Sequence, residues 1–247
     1  TISTGKTTNS MMMPPITIGR KTTGSDITTC PAHGEAIRRY GAWDPWKIDF
    51  EKHPWQVICP IGGERYPDAE HPDDGAGVVI DGKTYPFKRY YAHKAYLLRV
   101  LPALQSLSTA YLLTDERRYG EACAVLLAAL AENFPGPRFH REYCYDGPYG
   151  HRSGMVTDYI WECITLPVIA LAYDAVKPIY EQSDRLLGAL RGKGLPAGSP
   201  EEARQFVEDR IFRQAMQALL DNAIAGNPGH HQLAAITMAL VMDDVDG

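Results

Sequence analysis

The 247-residue chain contains no apolar run of about 18 residues, the length a helix needs to cross a bilayer. A membrane span is therefore not expected. The first residues also lack a basic stretch followed by an apolar one, so no secretory leader is visible, and residue 1 is Thr rather than Met. Either a leader has been removed or the chain begins inside a longer protein. The far end suggests the same, because the apolar run Ala234 to Val241 passes directly into Asp243, Asp244, Val245, Asp246 and Gly247. Clustered positive charge is missing too. Lys and Arg number 25 against 30 Asp and Glu, a net charge of −5. Phosphate binders gather basic residues on one face, so no nucleic-acid partner is expected. An acidic sugar remains open, since a few local cations can hold one. Cysteines number five, and an odd count argues against a complete disulfide framework. Cys123 and Cys163 lie in apolar helical patterns and are expected as buried thiols. Adjacent carboxylates are scarce. Asp73-Asp74 and Asp243-Asp244 are the conspicuous pairs, and both look like surface or loop groups.

What is present is ordinary for a globular protein: 45% hydrophobic and 22% charged residues. Residues 1–29 are rich in Thr, Ser, Gly and Pro and read as a polar arm. Gly5-Lys6-Thr7 within it looks like the tail of a phosphate-binding loop, but the leading Gly of that motif would fall before residue 1 and no strand precedes it, so a flexible polar arm is expected. Residues 30–86 form a loop-rich entry segment, dense in Pro, Gly and Trp. Asp81-Gly82, between Val78-Val79-Ile80 and Lys83-Thr84-Tyr85, predicts a tight hairpin. From residue 87 the apolar period becomes helical: Tyr91, Ala95, Leu98, Leu101, Leu104 and Leu107 share one phase. Pro102 should kink or divide that run. Asp115 is a plausible cap for a helix over 116–134, and a third helix is expected over 157–180. Ser199-Pro200-Glu201-Glu202 has a cap, a first-turn Pro and acids at the positive end of a helix dipole. Residues 87–247 are therefore expected to be all-α, built of antiparallel helical hairpins.

Two places carry chemistry. Cys30-Pro31-Ala32-His33 and Cys59-Pro60-Ile61-Gly62 look like the halves of a zinc ribbon. Tetrahedral zinc takes four ligands, usually in two close pairs, and the second half has Gly62 where a ligand would stand. The expectation is a degenerate knuckle packed by Pro and Trp, with no complete metal site among Cys30, His33 and Cys59. The second place is Asn227-Pro228-Gly229-His230-His231-Gln232, a helix break followed by a helix start. Amides at such a start favour an anion, and the histidines can donate to a carboxylate or exchange protons near neutral pH.

This corner resembles the Asn-His-Gln corner in the toroid domain of heparinase II/III-like and oligo-alginate lyases. Upstream, Trp46-Lys47-Ile48-Asp49, His53-Pro54-Trp55 and Cys59 to Pro67 are similar to the entry region of bacterial members. Asp81 to Tyr85 leading into Tyr90-Tyr91-Ala92-His93, and Leu171-Ala172-Tyr173-Asp174, also fit. The resemblance implies an incomplete α/α toroid that a β-sandwich would follow, and β-elimination at a uronate residue. It implies that His230 and His231 are catalytic at the neutralising corner, His230 standing where many members have Asn, as alginate-type members allow. It implies that the tyrosine acid lies downstream of Gly247. The expected partner is an acidic polysaccharide or oligosaccharide, the expected location periplasmic or extracellular, and no cofactor is implied. Asn227 and Gln232 are candidate substrate contacts at the corner; Tyr90, Tyr91, Tyr159 and Trp161 are candidates for stacking on sugar rings. His93 is read as a structural histidine. Arg141 and Arg152, in aromatic loops, are candidates for a bidentate contact with a uronate carboxylate. Two rival readings are a toroid glycoside hydrolase, which would need paired carboxylates facing one cleft, and a non-catalytic sugar-binding helical domain.

Overall fold

A computed structural model describes residues 27–42, 44–134, 159–221, 224 and 227–242, with the backbone alone at 159–161. The expected arm to residue 26, the loop carrying Arg141 and Arg152, and the Asp243-Asp244 pair lie outside the described residues.

The entry segment is folded by hairpins and aromatic packing rather than by long helices. A 3-10 turn, Glu35–Tyr40, precedes the two-residue antiparallel pair β1 (Val57–Ile58) and β2 (Arg65–Tyr66). The predicted hairpin follows as β3 (Val78–Ile80) and β4 (Lys83–Tyr85), with Val79 opposite Thr84. Asp81 and Gly82 take φ of 50° and 76°, the doubly left-handed turn that matches strand twist. A core of its own lies here. Trp46 meets Tyr66 and Phe87 edge-on, Phe87 stacks on Tyr66 and Tyr85, and the Trp46 indole N–H donates to the Ile27 carbonyl at 2.7 Å.

The helical body begins with α1 (Phe87–Ala95), which runs through a π turn (Tyr96–Val100) into α2 (Leu101–Thr114). Pro102 accounts for the π turn. It lacks an N–H, and its ring would strike the carbonyl four residues back in a regular helix. The wider turn lets the Leu101 amide bond to Tyr96 instead, so the run is widened rather than cut. Asp115 ends α2 in the left-handed conformation, φ 55°, its amide bonded to Tyr111 at 2.8 Å. It therefore does not cap the next helix as expected. Asp tolerates this backbone state better than most residues, and the N-cap of α3 (Arg117–Asn133) is Glu116.

Helix α4 (Tyr159–Gln182) is the hub, packing against α2, α3 and later helices. Cys163, Leu166, Ile169, Tyr173, Val176, Ile179 and Tyr180 are fully buried along it. Its stretch Glu162–Gln182 is long and apolar enough to cross a membrane, but 61% of that window is buried inside the protein, as in a core helix. Ser183 then caps α5 (Asp184–Gly192), accepting from the Leu186 amide at 3.1 Å while donating to Glu121 at 2.6 Å. Ser199 caps α6 (Pro200–Val207) as expected, accepting from Glu202 at 3.1 Å, and Glu202 reaches back to the Gly198 amide. A second π turn (Glu208–Arg213) leads to α7 (Gln214–Leu220), and α8 (His230–Val241) packs along α4. The predominantly helical character is thus as expected, with helices gathered around α4 and small hairpins at the entry.

Candidate functional site

The Asn227–Gln232 corner forms the start of α8 through its own hydrogen bonds. The His230 amide donates to the Asn227 carbonyl at 2.9 Å, and the Gly229 amide donates to Gln232 Oε1 at 2.9 Å. Gly229, at φ 92°, makes the turn that an L side chain would strain. Gln232 is therefore occupied in holding the helix start, the reciprocal half of a capping box. Two of the amides expected for an anion are used in closing the corner itself. Asn227 is exposed, and His230 and His231 are half-buried. His231 Nδ1 is screened from solvent and has no hydrogen-bond partner among the described residues. A polar ring nitrogen in that state has a vacant hydrogen-bonding capacity, which is costly to leave unmet.

Tyr90 and Tyr91 belong to a different core from α8, the entry-segment core as against the helical core. Tyr90 is 1% exposed and Tyr91 5% exposed. Tyr91 packs on Phe50 and Trp55. A ring so covered has no face to lay on a sugar, so the stacking role expected for Tyr90 and Tyr91 is corrected to a structural one. The helical spacing that suggested a groove reports burial here. The side chains of Tyr159 and Trp161 lie outside those described. His93 is buried, in line with the structural reading.

Asp73, expected as a surface or loop group, does stand in a loop, but it is buried there: Oδ1 accepts from the Gly75 and Gly77 amides at 2.7 and 3.0 Å, and Oδ2 from the Lys88 amide at 3.0 Å. Lys88 sits in the first turn of α1, so Asp73 caps that helix from the preceding loop. Its carboxylate is committed to backbone, which removes Asp73 from any hydrolytic pair.

The two ribbon-like halves do come together. Cys30 and Gly34 exchange backbone hydrogen bonds at 3.0 and 2.7 Å, with Gly34 at φ 55°, which curls the first knuckle. In the second, the Cys59 amide donates to the Glu64 carbonyl at 2.8 Å and the Gly63 amide to the Cys59 carbonyl at 2.9 Å, across the β1–β2 turn. His33 Nδ1 then lies 3.7 Å from Cys30 Sγ, 3.6 Å from Cys59 Sγ and 3.5 Å from Glu64 Oε2. All four donor atoms fall within 4.8 Å of one another. The expectation that the fourth position fails at Gly62 overlooked Glu64. A Cβ on Gly62 would stand 2.1 Å from a Glu64 carboxylate oxygen, so Gly62 leaves the room the carboxylate fills. The signal was legible as Cys-Pro-x-Gly-Gly-Glu, a turn longer than the usual Cys-x-x-Cys spacing. Both sulfurs are buried, and burial pushes the Cys30 thiol up to about 11, with Cys59 beside it adding to the rise. Comparison with protein-family models, with curated proteins and with solved structures finds no match.

Proposed function

We propose that this chain is the helical, substrate-neutralising part of a polysaccharide lyase that cleaves uronate-containing polymers or oligomers by β-elimination outside the cytoplasm, its helices forming part of an α/α toroid. The observation that carries the reading is the Asn227–Gln232 corner: two adjacent histidines at the start of α8, one with a sheltered ring nitrogen that lacks a partner among the described residues. The predominantly helical body and the order of the upstream motifs support it.

The chemistry follows from the acidity of the substrate. A proton at C5 of a uronate is a poor acid while the neighbouring carboxylate carries full charge, because its removal places a second negative charge beside the first. Donors fixed on the carboxylate stabilise the charge that develops as the proton leaves. His230 is assigned this neutralising role and His231 that of a base or second donor, with Asn227 free to contact the sugar. A tyrosine acid must then protonate the departing glycosidic oxygen. The test is His230→Ala in the complete gene product. Turnover should fall roughly 10²–10³-fold, the scale for one lost charge-stabilising donor, followed as the absorbance of the new C4–C5 double bond. Unchanged turnover would remove His230 from the mechanism.

A further inference from the structure

We propose that Cys30, His33, Cys59 and Glu64 bind one zinc ion in a closed, structural site that fastens the first knuckle to the β1–β2 hairpin. Three separations around one atom argue for it. His33 Nδ1 has neighbours at 3.7, 3.6 and 3.5 Å. An imidazole nitrogen has one proton or one lone pair, so it makes one hydrogen bond, and a good one to oxygen measures about 2.7–3.2 Å. Three near-equal, longer separations are what a shared centre imposes. With Zn–S near 2.3 Å and Zn–N or Zn–O near 2.0–2.1 Å, a tetrahedron places S and N about 3.6 Å apart and N and O about 3.4 Å apart. The three edges at His33 fall within about 0.1–0.2 Å of these values, and the remaining edges among the four ligand atoms lie within 4.8 Å.

The inward carboxylate is an independent observation. Glu64 Oε2 is shielded from solvent and makes no hydrogen bond among the described residues; His33 Nδ1 stands 3.5 Å from it, beyond hydrogen-bond length, and a carboxylate oxygen of Glu64 lies within 4.8 Å of both sulfurs. A buried carboxylate oxygen without a donor is costly; a cation at the centre of the cluster supplies its partner. The sulfurs are buried while His33 and Glu64 side chains are 28% and 36% exposed, which leaves an entry path on the outer edge. Two thiolates favour zinc over hard oxygen-seeking cations. On binding, each cysteine releases its proton to solvent, and no water position remains among the four ligands, as in structural rather than catalytic zinc. The rival arrangement is a Cys30–Cys59 disulfide, which would leave His33 and Glu64 as a bare ion pair.

The experiment uses the purified protein with zinc, then with cobalt as a spectroscopic substitute. About one zinc per chain should be found, and cobalt should give thiolate charge-transfer bands with the strong visible bands of a tetrahedral site. Alkylation of the wild-type protein followed by peptide mapping should show Cys30 and Cys59 protected until a chelator is added. Glu64→Gln should weaken zinc retention at least about tenfold, and Glu64→Cys, which completes a three-cysteine, one-histidine set, should restore or tighten it. Absence of metal after zinc loading, a Cys30–Cys59 disulfide in the native protein, or alkylation indifferent to chelator would each overturn the proposal. These readouts on the wild-type chain hold even where a cysteine variant fails to fold.

Discussion

Three amides, from Gly75, Gly77 and Lys88, depend on the single carboxylate of Asp73. Asp73→Ala should lower stability by about 2–4 kcal/mol, because buried donors left unmet cost about 1–3 kcal/mol each and neighbours relax in part. Urea unfolding checks it, and a loss under about 1 kcal/mol would show that water replaces the carboxylate. Gly62→Ala should lower zinc retention while leaving the midpoint of the metal-free protein nearly unchanged, since its Cβ displaces only the Glu64 carboxylate. Cys123 is fully buried, and burial pushes its thiol up to about 12. It should resist alkylation in the folded protein and react only after denaturation. Composition foretold Cys123, because a thiol in an apolar helical phase is a core residue. It could not foretell Asp73 or Glu64, whose roles depend on which loop the fold lays beside them.

Elements were legible where local chemistry decides them. The Asp81-Gly82 hairpin and the Ser199 cap both formed as their residues require, because a left-handed turn and an orphan amide select for specific side chains. Boundaries failed where two signals share a residue. Asp115 has the chemistry of an N-cap and also tolerates left-handed backbone, and the second property decided its place. Pro102 was legible as a disturbance but not as a π turn, since the response depends on packing that keeps the helix continuous. Between elements, Gly120 of α3 sets how closely α4 approaches: a Cβ there would lie 2.6 Å from Ile179 Cγ1 and 3.2 Å from the Tyr111 ring. Gly120→Val should therefore destabilise by about 2–3 kcal/mol through overpacking, despite replacing a poor helix former. Equal or greater stability would mean that Ile179 has room to turn aside.

At the scale of the whole molecule, the described residues form two cores, one rich in aromatic rings in the entry segment and a larger mixed one around α4, joined through the α1–α2 run. Chelating the proposed zinc should therefore loosen the first core selectively. Hydrogen exchange should rise at Cys30–Gly34 and at β1–β2 while α3 and α4 keep their protection. The helical character of the body was visible from its period, but its arrangement around α4 was not, because periodicity names a buried face and not the helix that covers it. The corner at α8 was legible as a helix start. The separation of Tyr90 and Tyr91 from the helical core was not, since a buried aromatic and a groove aromatic share the same helical spacing. Incubation of the complete gene product with alginate, heparan sulfate and hyaluronan oligosaccharides, following both new double bonds and new reducing ends, tests the lyase assignment. The lyase reading predicts that every cleavage of at least one of these substrates creates a C4–C5 unsaturated uronate. Reducing ends released without a double bond, or no cleavage of any uronate, would contradict it.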